Sequence, residues 1–154
     1  SHPFRFGIQA SSVPDASSWF ELARKTEQLG YSSLHLPDHF GDQLAPVPAI
    51  MAAASATEQL KVGALVFDND YRHPVVLAKE LATIDLLSEG RLEFGLGAGW
   101  MTSDYEQSGI QHDRAGIRVD RMIEASFACA NRLFGLDFAP LDAPLYHEDV
   151  RAGR

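Results

Sequence analysis

The sequence predicts an α/β fold in which parallel strands alternate with helices. Three observations carry that prediction. Short strand-like runs begin near Arg5 (RFGIQA), Ser32 (SSLHLP), Lys61 (KVGALVF) and Arg91 (RLEFGLG). Their spacings of about 27, 29 and 30 residues match a strand, a helix and the loops that join them. Between the runs, apolar residues recur at helical spacing and stop at glycines. Repeated units of this kind give parallel strands joined by right-handed crossovers. Two architectures satisfy the pattern, an open doubly wound sheet and part of a (β/α)8 barrel, and both bind ligands at the carboxyl ends of the strands.

Each element follows from its residues. After RFGIQA, Ser18-Trp19-Phe20-Glu21 fits a capping box, and Leu22, Thr26 and Leu29 keep a 3–4 spacing until Gly30. Beyond SSLHLP, Pro48 is expected in the first helical position, where a missing N–H is tolerated. The run Ala49-Ile50-Met51-Ala52-Ala53-Ala54 carries few large side chains, so a second helix can approach it closely, within the chain or in a dimer. Pro74 is expected to start the third helix, with Leu77, Leu81, Ile84 and Leu87 as its apolar stripe and Gly90 as its end. Ile117, Met122, Ile123, Phe127, Ala130 and Phe134 then read as a longer amphipathic helix ending at Gly135. From Leu136 the chain has Pro140 and Pro144 and no period. The expected organisation is thus one domain over 1–135 and an irregular arm over 136–154.

Composition narrows the function. A chain of 154 residues, 45% hydrophobic and 22% charged, has the make-up of one globular domain with a real core. A formal charge of -8 argues against nucleic-acid binding, which needs lysine and arginine on phosphates. Cys129 is the only cysteine, so no internal disulfide forms, and its place on the apolar side of a helix makes it a core residue. No apolar run approaches the ~20 residues of a membrane span. SHPFRFG lacks the pattern of a signal peptide, so a soluble, cytoplasmic protein is expected.

The candidate chemistry lies at the strand ends. Asp38 and His39 follow the second strand directly. An imidazole titrates near neutral pH and an adjacent carboxylate tunes it, so the pair suits general acid–base work; the plainer alternative is a turn cap beside a histidine bonded to backbone. His35, Asp38 and His39 do not share one face as an i, i+4 helical pair would, and no metal is expected. Gly95, Gly97 and Gly99 close the fourth strand and admit a ligand or a neighbouring backbone, without matching the dinucleotide fingerprint. Trp100, Met101, Asp104 and Tyr105 follow, suited either to lining a planar ligand or to covering the end of the sheet. The polar stretch 67–74 is a rim loop with two turn-forming acids.

PDHFGD, LVFDNDYRHPVVLAKELATIDLLSEGRLEFGLGAGW and DYEQSGI…RVDRMIEA together resemble the luciferase-like flavin/deazaflavin oxidoreductases, most closely their F420-dependent branch, over about residues 4–135. The resemblance implies a TIM barrel of the (β/α)8 type, of which this chain carries about the first four βα units; members are about twice as long. It implies coenzyme F420, with FMN as the alternative, and a small organic substrate; FMN-dependent monooxygenation is a further possibility. His39 becomes the acid/base beside the deazaflavin ring, Asp38 its cofactor-side partner, and Asp104 a second acid at the cofactor. Val66 and Gly97 become cofactor contacts, and a non-proline cis peptide is implied within Leu65–Val66–Phe67. A homodimer is also implied. The competing reading is a truncated, non-catalytic subunit that binds a flavin-like ligand or serves only in assembly.

Overall fold

The computed structural model describes residues 4–134, which fall into two compact units, one within 1–67 and 83–95, the other within 68–82 and 96–154. The proposed arm over 136–154 lies outside the described residues.

The first unit holds a parallel sheet in the order β1 (Gly7–Gln9), β2 (Ser33–Leu36), β3 (Lys61–Ala64). Gly7 pairs with Ser33 and Ser33 with Lys61. The fourth run continues the same ladder. Val62 N donates to Arg91 O at 2.9 Å, Glu93 N to Val62 O at 2.9 Å and Gly95 N to Ala64 O at 3.0 Å. Because side chains alternate along a strand, Leu34, Leu36, Val62 and Ala64 share one face, and all four are buried. Two helices pack on that sheet, α1 (Ala16–Gln28) and α2 (Pro46–Ser55). Trp19 joins them, donating from Nε1 to Ala49 O at 2.9 Å. The other face carries Gln9, His35, Gly63 and Glu93. On it Arg5 reaches Glu93 at 2.5 Å, from the first run to the fourth, which requires the sheet to curl. Both partners are partly exposed, so the pair adds at most about 1 kcal/mol.

Two helix starts differ from expectation. The α1 cap is Asp15, whose carboxylate accepts from Ser18 N at 2.8 Å, so the helix begins a turn before the Ser18 capping box. In α2 the first residue is Pro46 and Pro48 is the third; both fall in the opening turn, where no N–H has an intrahelical acceptor. The small-residue face of α2 is used inside the unit: Ala49, Ile50, Ala53 and Ala54 are buried. Helix α3 (Pro74–Leu87) starts at Pro74, in the second unit, and ends in the first. Leu77, Leu81 and Ile84 are buried, whereas Leu87 is 61% exposed at its end. Gly90, at φ +77°, turns the chain after it, with its N–H on Asp85 O.

One carboxylate organises the turn before β3. Glu27 accepts from Glu58 N, Gln59 N and Leu60 N, at 3.0, 2.6 and 2.8 Å on Oε1. Burial opposes its ionisation, but these N–H donors, with the charge of Arg91, outweigh it and hold the pKa below its usual value. A depressed folded-state pKa contributes stability that is complete above the unfolded value and is lost as pH falls through the folded one. We therefore expect the chain to lose stability between about pH 5 and pH 3 more steeply than Glu27→Gln does, by urea denaturation. Parallel losses in the two proteins would contradict this role.

A two-stranded sheet joins β4 (Phe67–Asp68) to β5 (Leu96–Gly97), and the second unit contains a 3-10 turn over Asn69–Tyr71, α4 (Thr102–Ser108) and α5 (Ala115–Phe134). The strand-like runs KVGALVF and RLEFGLG are thus each divided, and α4 was not expected. Gly109, at φ +72°, caps α4 through its N–H to Tyr105 O. In α5, Arg118, Ala125 and Cys129 are buried while Ile123 and Phe127 are exposed. Among the described residues no helix is long and apolar enough to cross a membrane.

Candidate functional site at the strand ends

In the first unit the carboxyl ends of the strands form a level rim. Ala10 N donates to His35 O at 3.0 Å and Leu65 N to Leu36 O at 2.9 Å. Gln9 Nε2 donates to Leu65 O at 3.0 Å. Beyond Leu36, Pro37 stops the ladder, and Asp38 and His39 follow at once. Asp38 is buried and His39 half-buried. At the next strand end the Leu65–Val66 peptide is cis, within the segment the resemblance indicated.

Leu65 is 55% exposed and Val66 37%, although Ala64 and Phe67 on either side are buried. Gly95 makes room there, since a Cβ on it would lie 2.5 Å from Val66 Cγ1. An exposed apolar pair at the end of β3, with an imidazole and a buried carboxylate following the end of the neighbouring β2, is the kind of lining that suits a flat heteroaromatic ring, which gains dispersion and hydrophobic contact on its face. His35 lies lower on the same strand. Burial lowers its pKa, and Nδ1 has no partner among the described residues. Its imidazole is therefore neutral near pH 7. Among the described residues no three or more histidine, cysteine or acidic side chains gather as metal ligands.

The second unit holds the other predicted residues. Gly97 ends β5. Asp104, in α4, is 1% exposed, and its Oδ2 accepts from the Tyr71 hydroxyl at 2.7 Å. Tyr105 donates to Asp70 Oδ2 at 2.9 Å, which Arg121 also reaches at 3.2 Å, while Arg121 bonds Asp113 at 3.0 Å. Burial, then the hydrogen bond to Asp104, pushes the Tyr71 pKa far up; burial, then the charge of Asp68, does the same for Tyr105. Both phenols stay protonated and act as donors.

Three of the predicted residues, Asp38, His39 and Val66, are therefore brought to one rim; Gly97 and Asp104 belong to the other unit. Sequence reading missed Tyr71, Arg118 and Arg121. The pair Arg118 and Arg121, one turn apart near the start of an amphipathic helix, was the available signal, because two cations there call for partners.

A family profile described as luciferase-like monooxygenase matches residues 1–132. Limonene 1,2-monooxygenase of Rhodococcus erythropolis is 32% identical over 117 residues, covering 73% of this chain and 29% of that protein. F420-dependent glucose-6-phosphate dehydrogenase of Microbacterium testaceum is 29% identical over 132 residues, 80% of this chain and 39% of that one. An F420-dependent secondary alcohol dehydrogenase, solved with an F420–acetone adduct, superposes with a TM-score of 0.75 at 22% identity, over 86% of this chain and 42% of its own. The chain thus spans well under half the length of these relatives. The fold is that of a (β/α)8 barrel, and the chain corresponds to its N-terminal part.

Proposed function

We propose that this chain, which belongs to the luciferase-like monooxygenase family, supplies the acid–base half of a redox site that takes coenzyme F420, or alternatively FMN, and a small organic substrate. The exposed Leu65–Val66 pair at the end of β3, with Asp38 and His39 following the end of the neighbouring β2, is the observation that carries the reading. When bound, the cofactor supplies hydride transfer. His39 would protonate or deprotonate the substrate, and Asp38 would orient the imidazole. Val66 would be a contact of the bound cofactor. On the strength of the resemblance alone, Gly97 is carried as a further cofactor contact and Asp104 as a second acid.

Titration of the purified chain with FMN and with F420, followed by cofactor fluorescence, tests the proposal. Micromolar binding of either is expected, with F420 preferred. No binding of either at high micromolar concentration would favour the non-catalytic assembly reading. The same reading includes a homodimer, in which two copies pair their sheets or dock through the Ala-rich α2 and through α3. Sedimentation should give twice the chain mass; a monomer at every concentration would end that part of the proposal.

A further inference from the structure

We infer that Gln9 is a positioning residue for the Leu65–Val66 ledge: by holding the Leu65 carbonyl, it fixes the direction in which Val66 is presented. The inference rests on the proposed contact of Val66 with the bound cofactor. Gln9 ends β1 and pairs with His35 of β2. Its Nε2 donates to Leu65 O at 3.0 Å, passing over β2 to the end of β3. In a flat sheet, strands two places apart lie about 10 Å from each other. A side chain spans them only where the sheet curls, as the contact of Arg5 with Glu93 also requires. Gln9, Leu65 and Val66 all belong to the first unit.

The bond acts through geometry more than through energy. Gln9 is exposed, so water competes for its amide and the net gain in stability is small. Leu65 and Val66 are exposed as well, so packing alone does not orient them. Leu65 N is held on Leu36 O at 2.9 Å, and Phe67 N on Gly95 O at 2.8 Å. Between those two bonds the Leu65–Val66 peptide stands outside the ladder, and among the described residues Gln9 is the partner of its carbonyl. A peptide unit is planar. Anchoring its oxygen therefore fixes the plane that arrives at the Val66 Cα, while the Phe67 bond fixes the plane that leaves it. The Val66 side chain is set between the two, with Cγ1 so near Gly95 that a Cβ there would lie 2.5 Å away. Small errors in that placement are costly, because a gap of about 0.5–1 Å forfeits a quarter to a half of each dispersion contact with a flat ring.

Two variants of the full chain test the inference. Gln9→Met keeps the length of the side chain and removes the donor, and Gln9→Asn keeps the amide but falls one carbon short of Leu65. In cofactor-free protein the carbonyl-carbon NMR resonance of Leu65 should move in both, while the urea midpoint stays at the wild-type value. Titration with FMN and with F420 should then give affinities about three- to tenfold weaker in both. The emission of the bound ring should shift too, an effect that reduced stability alone does not produce. An unmoved Leu65 resonance, or a moved one with wild-type affinity and emission, would overturn the inference. Wild-type binding by Gln9→Asn would show that reach to Leu65 is not what matters, and would overturn it equally. A wild-type chain that binds neither cofactor would overturn the proposed function and, with it, the cofactor role of Gln9. The Leu65 resonance would then still show whether Gln9 holds the carbonyl, so the two failures are distinguishable.

Discussion

Replacing His39 with alanine should lower turnover by about 10²–10⁴-fold while leaving the cofactor dissociation constant within about threefold of wild type. The separation of the two effects is the point. His39 is half-buried beyond β2, whereas the apolar contact proposed for the ring comes from Leu65 and Val66 at the end of β3. Truncating the imidazole removes a proton carrier and leaves that ledge intact. His39→Gln, which restores a hydrogen-bonding side chain without a titratable proton, should be nearly as slow as His39→Ala if proton transfer is the role. Single-turnover oxidation of the reduced cofactor by substrate, with a parallel fluorescence titration, measures both quantities. Equal losses in binding and rate would make His39 a binding residue only. A fully active His39→Gln would move the acid–base role elsewhere on the rim.

The rim itself was legible in the sequence, because it depends on local signals. Repeats near 30 residues locate the strand ends, and Pro37 after Leu36 ends a ladder wherever it occurs. Asp38 and His39 could then only be at a carboxyl end. Exact helix starts were less legible, since Asp15 and Ser18 are both good caps and stand one turn apart. What joins distant parts of the chain was not legible at all. Arg121 and Asp70 are 51 residues apart, and Tyr71 and Asp104 are 33 apart, so no window of sequence contains both partners. The division of the third strand run at Leu65–Val66 has no signal in composition either: KVGALVF reads as one buried strand, and only the family resemblance pointed to its break.

Arg91→Ala should cost about 2–4 kcal/mol of stability, the largest single loss expected in the first unit. The residue looks ordinary in sequence, yet its guanidinium ties together three chain ends. Nε donates to Ser88 O at 2.7 Å after α3, and Nη2 to Ala54 O at 2.8 Å at the end of α2. Nη1 reaches Thr57 Oγ1 at 3.1 Å and Leu60 O at 3.3 Å in the turn before β3. A cation at the carboxyl end of α2 also satisfies a carbonyl left without an intrahelical partner and complements the helix dipole. Alanine removes four hydrogen bonds from a half-buried place and leaves Ala54 O with the long bond from Thr57 N, at 3.4 Å. Lysine, with one compact charge, can serve one or two of the four, so Arg91→Lys should recover less than half of the loss. Urea denaturation gives the difference from the midpoint at a constant slope. A loss under about 0.5 kcal/mol for Arg91→Ala would mean that water replaces the guanidinium without penalty, and that the segments leading into β3 and the fourth run are held by the core alone.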